Sequence, residues 1–359
     1  MPLRINFLLP GPPHVPNGGS KVVYRYANHL AQRGHRVRVY HQKAYWNISD
    51  PLRSIKWGSI ALWENLRIHS ILKWMPLDSQ VELRVIPQAT ANRMKPADVT
   101  IATAWDTAES VTALPDSIRG KGHYLIQHLE DWDQPREIIL ETWKLPLKKI
   151  VISRWLQSLA ASIGEEAHFI PNGLDFQEFG IDIPPETRRP ESVGMLWHSQ
   201  PWKGSASGLQ ALEIVQRQVP RLHVELFGTD PSPFPLPPWI TYHCRPSRTA
   251  LRAMYNRCAL FLAPSLSEGW GLPPSEAMQC GSAVVATDIG GHREFCHPNS
   301  TALLAPAGQP DALAHQILTL IGDSRLRLEI AETGHRLIQN FSWEKAVSSL
   351  EELILPSAK

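Results

Sequence analysis

Cysteine is scarce, with four in 359 residues: Cys244, Cys258, Cys280 and Cys296, all in the second half. None stands in a Cys-x-x-Cys or Cys/His zinc spacing, so a zinc module is excluded and the four are expected to be reduced, mostly buried small apolar residues. No run approaches the ~20 uncharged apolar residues of a membrane-spanning helix. The run Ile5-Asn6-Phe7-Leu8-Leu9 is too short for a signal segment and leads into Pro10-Gly11-Pro12-Pro13 without a small-x-small cleavage site, so a cytoplasmic protein is expected. Repeats and low-complexity tracts are absent. Net charge is only +2, and with 19% charged and 43% apolar residues the composition is that of a globular chain and not a disordered one. No nucleic-acid partner is expected.

The length, 359 residues, exceeds most single cores and fits two domains. Residues 1–170 carry 21 Lys and Arg against 15 Asp and Glu, while the remainder is acidic. Such a basic half points to an anionic surface. Arg4 to Leu9 reads as a strand, Gly18-Gly19 opens a helix with Val22, Val23, Tyr26, Ala27, Leu30 and Ala31 at helical spacing, and Val37 to His41 reads as the next strand. The loop lacks Gly-x-Gly-x-x-Gly and no acid ends the second strand, so the dinucleotide fingerprint of a Rossmann dehydrogenase is not met. Gly18 and Gly19 border a cleft instead. Residues 51 to 77 mix Arg53, Lys56, Arg67 and Lys73 with Trp57, Trp63 and Trp74. They read either as a segment lying on an anionic membrane or as helices packing their Trp rings on their own domain. His128, Glu130 and Asp131 follow the strand Gly122 to Gln127, where open α/β sheets place ligand-contacting groups, and His128 is a candidate base or hydrogen-bond donor.

Pro184-Pro185 and Arg188-Arg189-Pro190 mark a polar, Pro-rich linker. The domains are therefore read as 1–171, a linker 172–190, and 191–339, where strand and helix alternate again. The richest stretch is Ser267-Glu268-Gly269-Trp270-Gly271-Leu272-Pro273-Pro274-Ser275-Glu276-Ala277-Met278. It follows the apolar strand Ala259 to Ala263. Pro273 and Pro274 suit a first helical turn and Gly281 the position past a helix end, which puts Glu276 in the first turn and Glu268 in the loop before it. Glycines at 269 and 271 open backbone N–H groups at a helix N-terminus to an anion such as phosphate. Glu268 and Glu276, which accept hydrogen bonds from hydroxyls, would flank it. Lys203, before Gly204, could set an ammonium against a diphosphate there, and Arg245 reads either as the edge of a nucleobase pocket or as a plain surface arginine.

These residues resemble the retaining glycosyltransferases of family 4, the glycosyl transferases group 1. The resemblance rests on Pro264-Ser265-x-x-Glu268-Gly269-Trp270-Gly271-Leu272-Pro273-x-x-Glu276-Ala277-Met278 with Gly281, the Glu-x7-Glu motif. It extends to Thr287-Asp288-Ile289-Gly290-Gly291 and Glu294, Ile170 to Asp175, Lys203-Gly204, Gly18-Gly19 and Leu30-Ala31-x-x-Gly34-His35-x-Val37. Phe341-Ser342-Trp343-Glu344 resembles the family's closing helix, here 340–359, which crosses back to the first domain. The resemblance implies a GT-B fold, two doubly wound Rossmann-like domains facing a central cleft, the first binding acceptor and the second a nucleoside-diphosphate sugar. It implies Glu276 on the ribose, Glu268 beside the sugar, the N–H groups of Gly269, Trp270, Gly271 and Leu272 on sugar and phosphate, Lys203 on the departing diphosphate, His128 bordering the sugar, and Gly19 where acceptor and donor phosphate meet. Gly18, Gly19 and His128 form the acceptor side, and His128, Lys203 and Glu268 are the implied catalytic residues. No metal or other cofactor is implied. The family's usual Arg about five residues before the Lys is missing. That register holds Trp197-His198, so His198 or Arg245 takes its place, or diphosphate binding is weaker. The implied reaction transfers a hexose-type sugar with retention to a carbohydrate or lipid-linked acceptor in bacterial-type cell-surface polysaccharide or glycolipid assembly, in the cytoplasm or at the inner membrane face. The competing readings are a GT-B epimerase or phosphorylase and a non-catalytic nucleotide-sugar-binding subunit.

Overall fold

The computed structural model describes residues 1–12, 14–43, 51–132, 134–232 and 235–355, without the side chains of 51–55 and 69–71. The Arg53 side chain, Pro233 and the last four residues of the 340–359 segment lie outside the described residues. The chain forms two compact units, Met1–Gly173 with Trp343–Lys359, and Leu174–Ser342.

In the first unit, seven strands among the described residues run β1 (Arg4–Leu9), β2 (Arg36–Gln42), β3 (Glu82–Ile86), β4 (Val99–Ala102), β5 (Lys121–Ile126), β6 (Lys148–Val151) and β7 (Ala167–Phe169). They form one sheet in the order β3-β2-β1-β4-β5-β6-β7, every pair parallel. Ile5, Phe7 and Leu8 of β1 are fully buried, the signature of a central strand covered on both faces. Helices α1 (Gly18–Gln32), α2 (Pro51–Ile71), α3 (Trp105–Ala113), α4 (Asp116–Arg119), α5 (Arg136–Trp143) and α6 (Arg154–Ser162) connect them. α1 starts where it does because the Asn17 side chain accepts the Ser20 N–H at 2.8 Å, an N-cap that satisfies one of the free donors of the first turn.

The second unit holds β8 (Ser192–Leu196), α7 (Ser205–Gln218), β9 (His223–Gly228), β10 (Ile240–Cys244), α8 (Arg248–Arg257), β11 (Leu260–Ala263), α9 (Leu272–Gln279), β12 (Ala283–Thr287), β13 (Ala302–Ala305), α10 (Pro310–Gly322) and α11 (Ser324–Ile338). Its sheet, β10-β9-β8-β11-β12-β13, is also parallel throughout. Val193, Met195, Leu260, Leu262 and Val285 meet Leu212, Val215 and Ile317 in its core. The last helix, α12 (Trp343–Ile354), returns to the first unit. There Glu351 receives hydrogen bonds from Arg33 at 2.6 Å and His35 at 2.8 Å, and Trp343 packs edge-on against Tyr26.

The boundary between the two units falls at Gly173–Leu174, within the stretch 172–190. From Leu174 onward that stretch belongs to the second unit, because its polar groups find partners there. Buried Arg188 donates to the carbonyls of Ile183, Cys258 and Cys280. The side-chain oxygen of Asn256 accepts from the backbone N–H groups of Asp182 and Ile183. Of the cysteines, Cys258, Cys280 and Cys296 are buried and Cys244 is exposed, all four as free thiols. Among the described residues no helix is long and apolar enough to cross a membrane.

Candidate functional site

In the second sheet the strand order reverses between β8 and β11: β9 and β10 lie to one side, β12 and β13 to the other. Loops leaving neighbouring strands at such a point diverge and leave a crevice beyond the carboxyl ends, where open α/β sheets bind ligands. Lys203 follows β8 and Glu268 follows β11.

The two loops are laced together by backbone. The Trp202 carbonyl accepts the Leu266 N–H at 2.7 Å, and Gly204 turns with φ +64° so close to Pro264 that a Cβ would lie 2.0 Å from the Pro264 carbonyl oxygen. Only glycine fits this left-handed, crowded position. The turn delivers the Lys203 ammonium to the Glu268 carboxylate, with Nζ 2.8 and 2.9 Å from its two oxygens, and the Ser265 hydroxyl donates to Oε1 at 2.9 Å. Burial pushes the Glu268 carboxyl up. The charge and hydrogen bonds of Lys203, with His292 and Ser265, outweigh it and hold the group below the ordinary carboxylate range. An ammonium has three N–H donors, so two on Glu268 leave one for an incoming anion.

His198 sits at the mouth of the same loop. Its backbone N–H donates to the Ser205 hydroxyl at 2.9 Å, and its Nδ1 accepts the Gln200 N–H at 3.1 Å. That bond places the proton of the neutral ring on Nε2, leaving a donor there. Burial and the Lys203 charge lower its pKa against the opposing pull of Asp230 and Glu268. Arg245, with φ +49°, uses Nε on the Thr229 carbonyl at 2.6 Å.

Glu276 lies elsewhere than the first turn. α9 begins at Leu272, so Pro273 and Pro274 are its second and third residues and Glu276 is the fifth, in the second turn. It is buried and accepts a hydrogen bond from the Tyr255 hydroxyl at 3.1 Å. In the Gly269–Leu272 loop, the Trp270 side chain turns inward and packs on Phe295 and Phe341, leaving only its backbone for a ligand. Gly271 has φ +107°, and Gly281 closes the helix at φ +80° with the Ser282 N–H reaching back to the Ala277 carbonyl.

His292 is the residue that sequence reasoning missed. It is 1% exposed, its Nδ1–H donates to the Thr287 carbonyl at 2.9 Å, and its Nε2 has no hydrogen-bond partner. The ring lies under the loop, 2.9 Å by Cδ2 and 3.2 Å by Nε2 from where a Gly271 Cβ would be. Burial lowers its pKa, so the neutral ring keeps a lone pair on Nε2 against the loop that precedes α9. The neighbouring Gly291 backbone packs on Glu268, where a Cβ would come within 2.4 Å of the Glu268 carbonyl oxygen. The sequence signal lay in Thr287-Asp288-Ile289-Gly290-Gly291, which carries part of the family resemblance but did not single out the histidine that follows it.

In the first unit, Gly18 and Gly19 open α1 beyond the carboxyl end of β1. A Cβ on Gly19 would meet only Gln127, at 3.6 Å, so the unit itself leaves room for a side chain there. His128, after β5, accepts the Glu130 N–H on Nδ1 at 3.3 Å and packs against Trp132 and Trp155.

Residues 198–337 match the family model described as Glycosyl transferases group 1. A D-inositol 3-phosphate glycosyltransferase of Jonesia denitrificans is 25% identical over 54% of this chain and 52% of its own length. The chain spans about half the length of that relative and 31% of an uncharacterized glycosyltransferase of Methanocaldococcus jannaschii, to which it is 34% identical over 30% of its own length. Sucrose-phosphate synthase of Thermosynechococcus elongatus superposes with a TM-score of 0.75 at 17% identity, covering 98% of both chains. The Anabaena protein HepE in complex with UDP-glucose superposes at 0.71 and 17% identity, covering 98% of this chain and 99% of its own. The two parallel-sheet, Rossmann-like units of this chain thus have the fold of GT-B glycosyltransferases.

Proposed function

We propose that the protein is a retaining, family 4 glycosyltransferase that moves a hexose-type sugar from a nucleoside-diphosphate sugar to an acceptor hydroxyl in cell-surface polysaccharide or glycolipid assembly. The observation that carries this reading is the Lys203–Glu268 pair at the strand-order reversal, beside a glycine loop that opens a helix N-terminus. The matched family region, 198–337, contains all of these residues. HepE, similar in fold, binds UDP-glucose, which favours a nucleotide-sugar donor here.

In this reading the anomeric carbon–oxygen bond to the diphosphate breaks while the acceptor oxygen bonds to the same face. The acceptor proton passes to the departing phosphate oxygen. The third Lys203 N–H and the His198 Nε2–H face the charge that develops, a preorganised arrangement that lowers the barrier. His198 fills the place of the missing Arg better than Arg245, since it shares the field of Lys203 and Glu268 while Arg245 is engaged at Thr229. Glu268, kept ionised by Lys203, accepts sugar hydroxyls, and Glu276 with Tyr255 holds the ribose side. Gly18, Gly19 and His128 serve the acceptor, a carbohydrate or lipid-linked hydroxyl presented at an anionic membrane surface. No metal takes part, and turnover is expected to survive EDTA.

The test is release of nucleoside diphosphate from a panel of UDP-, GDP- and dTDP-sugars, with and without acceptor, and NMR of the anomeric proton in the product. Transfer with the donor's anomeric configuration supports the reading. Inversion, or epimerisation of the donor without an acceptor, overturns it.

A further inference from the structure

Helix α2 is apolar on two opposite sides. Ala61, Ile68 and, just past its end, Leu72 face inward and are buried. Leu62, Trp63 and Leu66 face outward at 65%, 52% and 81% exposure. A helix apolar all round is ordinarily buried all round, and three large side chains exposed within five residues form a patch, not scattered surface residues.

Among the described side chains, the charges of the helix are sorted between the same two sides. Its single acid, Glu64, is buried and paired with Lys43 at 2.9 Å. Lys56 and Arg67 are exposed, and so is Lys73 just beyond the helix end. The Arg67 guanidinium lies over the Trp63 ring, 4.5 Å from its centroid, so the cation is held within the apolar patch. At the carboxyl end of the helix opens a cavity of about 320 Å³ lined by Leu72, Lys73, Met75, Pro76, Leu77 and Leu83. Its wall is apolar except for Lys73, and Leu83 belongs to the edge strand β3.

We infer that this face of α2 docks on an anionic lipid bilayer and that the adjoining cavity takes a lipid acyl chain. Leu62, Trp63 and Leu66 enter the boundary between headgroups and acyl chains, where tryptophan is at home. Lys56, Arg67 and Lys73 lie over the anionic headgroups. A soluble acidic protein would satisfy the cations but not the exposed leucines and cavity together, whereas one lipid chemistry satisfies all three. The inference extends the membrane side of the proposed function but does not depend on sugar transfer.

The test is sedimentation of the full chain with large unilamellar vesicles of phosphatidylcholine alone or containing phosphatidylglycerol, together with soluble glycerol phosphate as competitor. Wild type is expected to pellet with the anionic vesicles, to be released by high salt, and to ignore glycerol phosphate. Trp63→Ser with Leu66→Ser, both outward-facing, is expected to weaken vesicle binding roughly tenfold or more with unchanged circular dichroism. Leu83→Phe, which fills the cavity away from the exposed face, is expected to weaken it several-fold. Equal binding to neutral vesicles, no binding to either, or displacement by glycerol phosphate overturns the inference. Thermal stabilisation by nucleotide sugars is measured on the same variants. If it persists while lipid binding was never present, this inference fails and the functional reading stands; if it is absent throughout, the functional reading fails.

Discussion

Lys203 and Glu268 form a pair that each could lose for two different reasons, and the chemistry separates them. Removing Lys203 leaves a carboxylate only 11% exposed without its cation, which destabilises the loop, and also removes the donor to the departing phosphate. Lys203→Ala is expected to lower the melting temperature and to reduce turnover ~100-fold or more. Adding Glu268→Gln removes the orphaned charge, so the double variant should regain stability without regaining turnover. Recovery of both in a double-mutant cycle would show that the pair is structural only. His292 acts beneath the loop instead of in it. His292→Phe preserves the ring's bulk but loses the bond to the Thr287 carbonyl, worth about 1 kcal/mol, and is expected to raise the donor KM more than it lowers kcat. An unchanged KM would refute that placement. At this scale the sequence showed residue types but not their partners. Lys203 and Glu268 stood out separately, yet nothing in their 65-residue separation announced that the ammonium meets the carboxylate. His292 was illegible because its role comes from its depth under Gly271.

The elements were legible where the physics is local. Buried parallel strands are continuous apolar runs, and β1 and β11 stood out as such. β3, Glu-Leu-Arg-Val-Ile, went unread because an edge strand mixes charges with apolar residues, and its Glu82 binds Lys95 and Arg84 at the surface. β13, Ala-Leu-Leu-Ala, was too short to separate from its turn. The Pro273-Pro274 signal located α9 but missed its first residue, which moved Glu276 by a turn. The stretch 172–190 reads as a linker from its polar, Pro-rich composition, while the contacts of Arg188 with Cys258 and Cys280, and of Asp182 and Ile183 with Asn256, depend on distant chain. Two glycines separate loop geometry from ligand access. Gly204→Ala is expected to force the Lys203 loop off Pro264 and abolish donor stabilisation while the sheet's circular dichroism is retained. Gly19→Ala meets only ordinary contact within its unit, so it should leave stability unchanged and reduce transfer alone. Equal activity in the Gly19 variant would remove it from the acceptor side.

For the whole molecule, the alternating strand and helix order dictated the two-unit architecture, because parallel strands need crossovers that cover both faces of the sheet. Burial also sets the acid response. His41 is fully buried between the Tyr24 hydroxyl and the Pro10 carbonyl, and burial pushes its pKa down to about 4; His123, also buried, is pushed to about 4. Both folded values lie below the ordinary histidine value near 6.5, so the unfolded chain takes up the proton first. Their contribution is complete above pH ~6.5 and is lost as pH falls towards about 4, by about 3 kcal/mol for each. Urea midpoints should therefore fall steadily between those limits, and His123→Phe should flatten the fall; a midpoint independent of pH across the window would contradict this.

The central claim is that the second unit holds a nucleoside-diphosphate sugar through the Lys203–Glu268 crevice. Its most direct measurement is the melting temperature of wild type and of the Lys203→Ala, Glu268→Gln double variant, each titrated with UDP-, GDP- and dTDP-sugars. A ligand that binds only the folded state raises its stability by mass action. At least one nucleotide sugar is expected to raise the wild-type melting temperature in a saturable way and to leave the double variant unmoved. No shift with any of them, or the same shift in both proteins, would contradict the account.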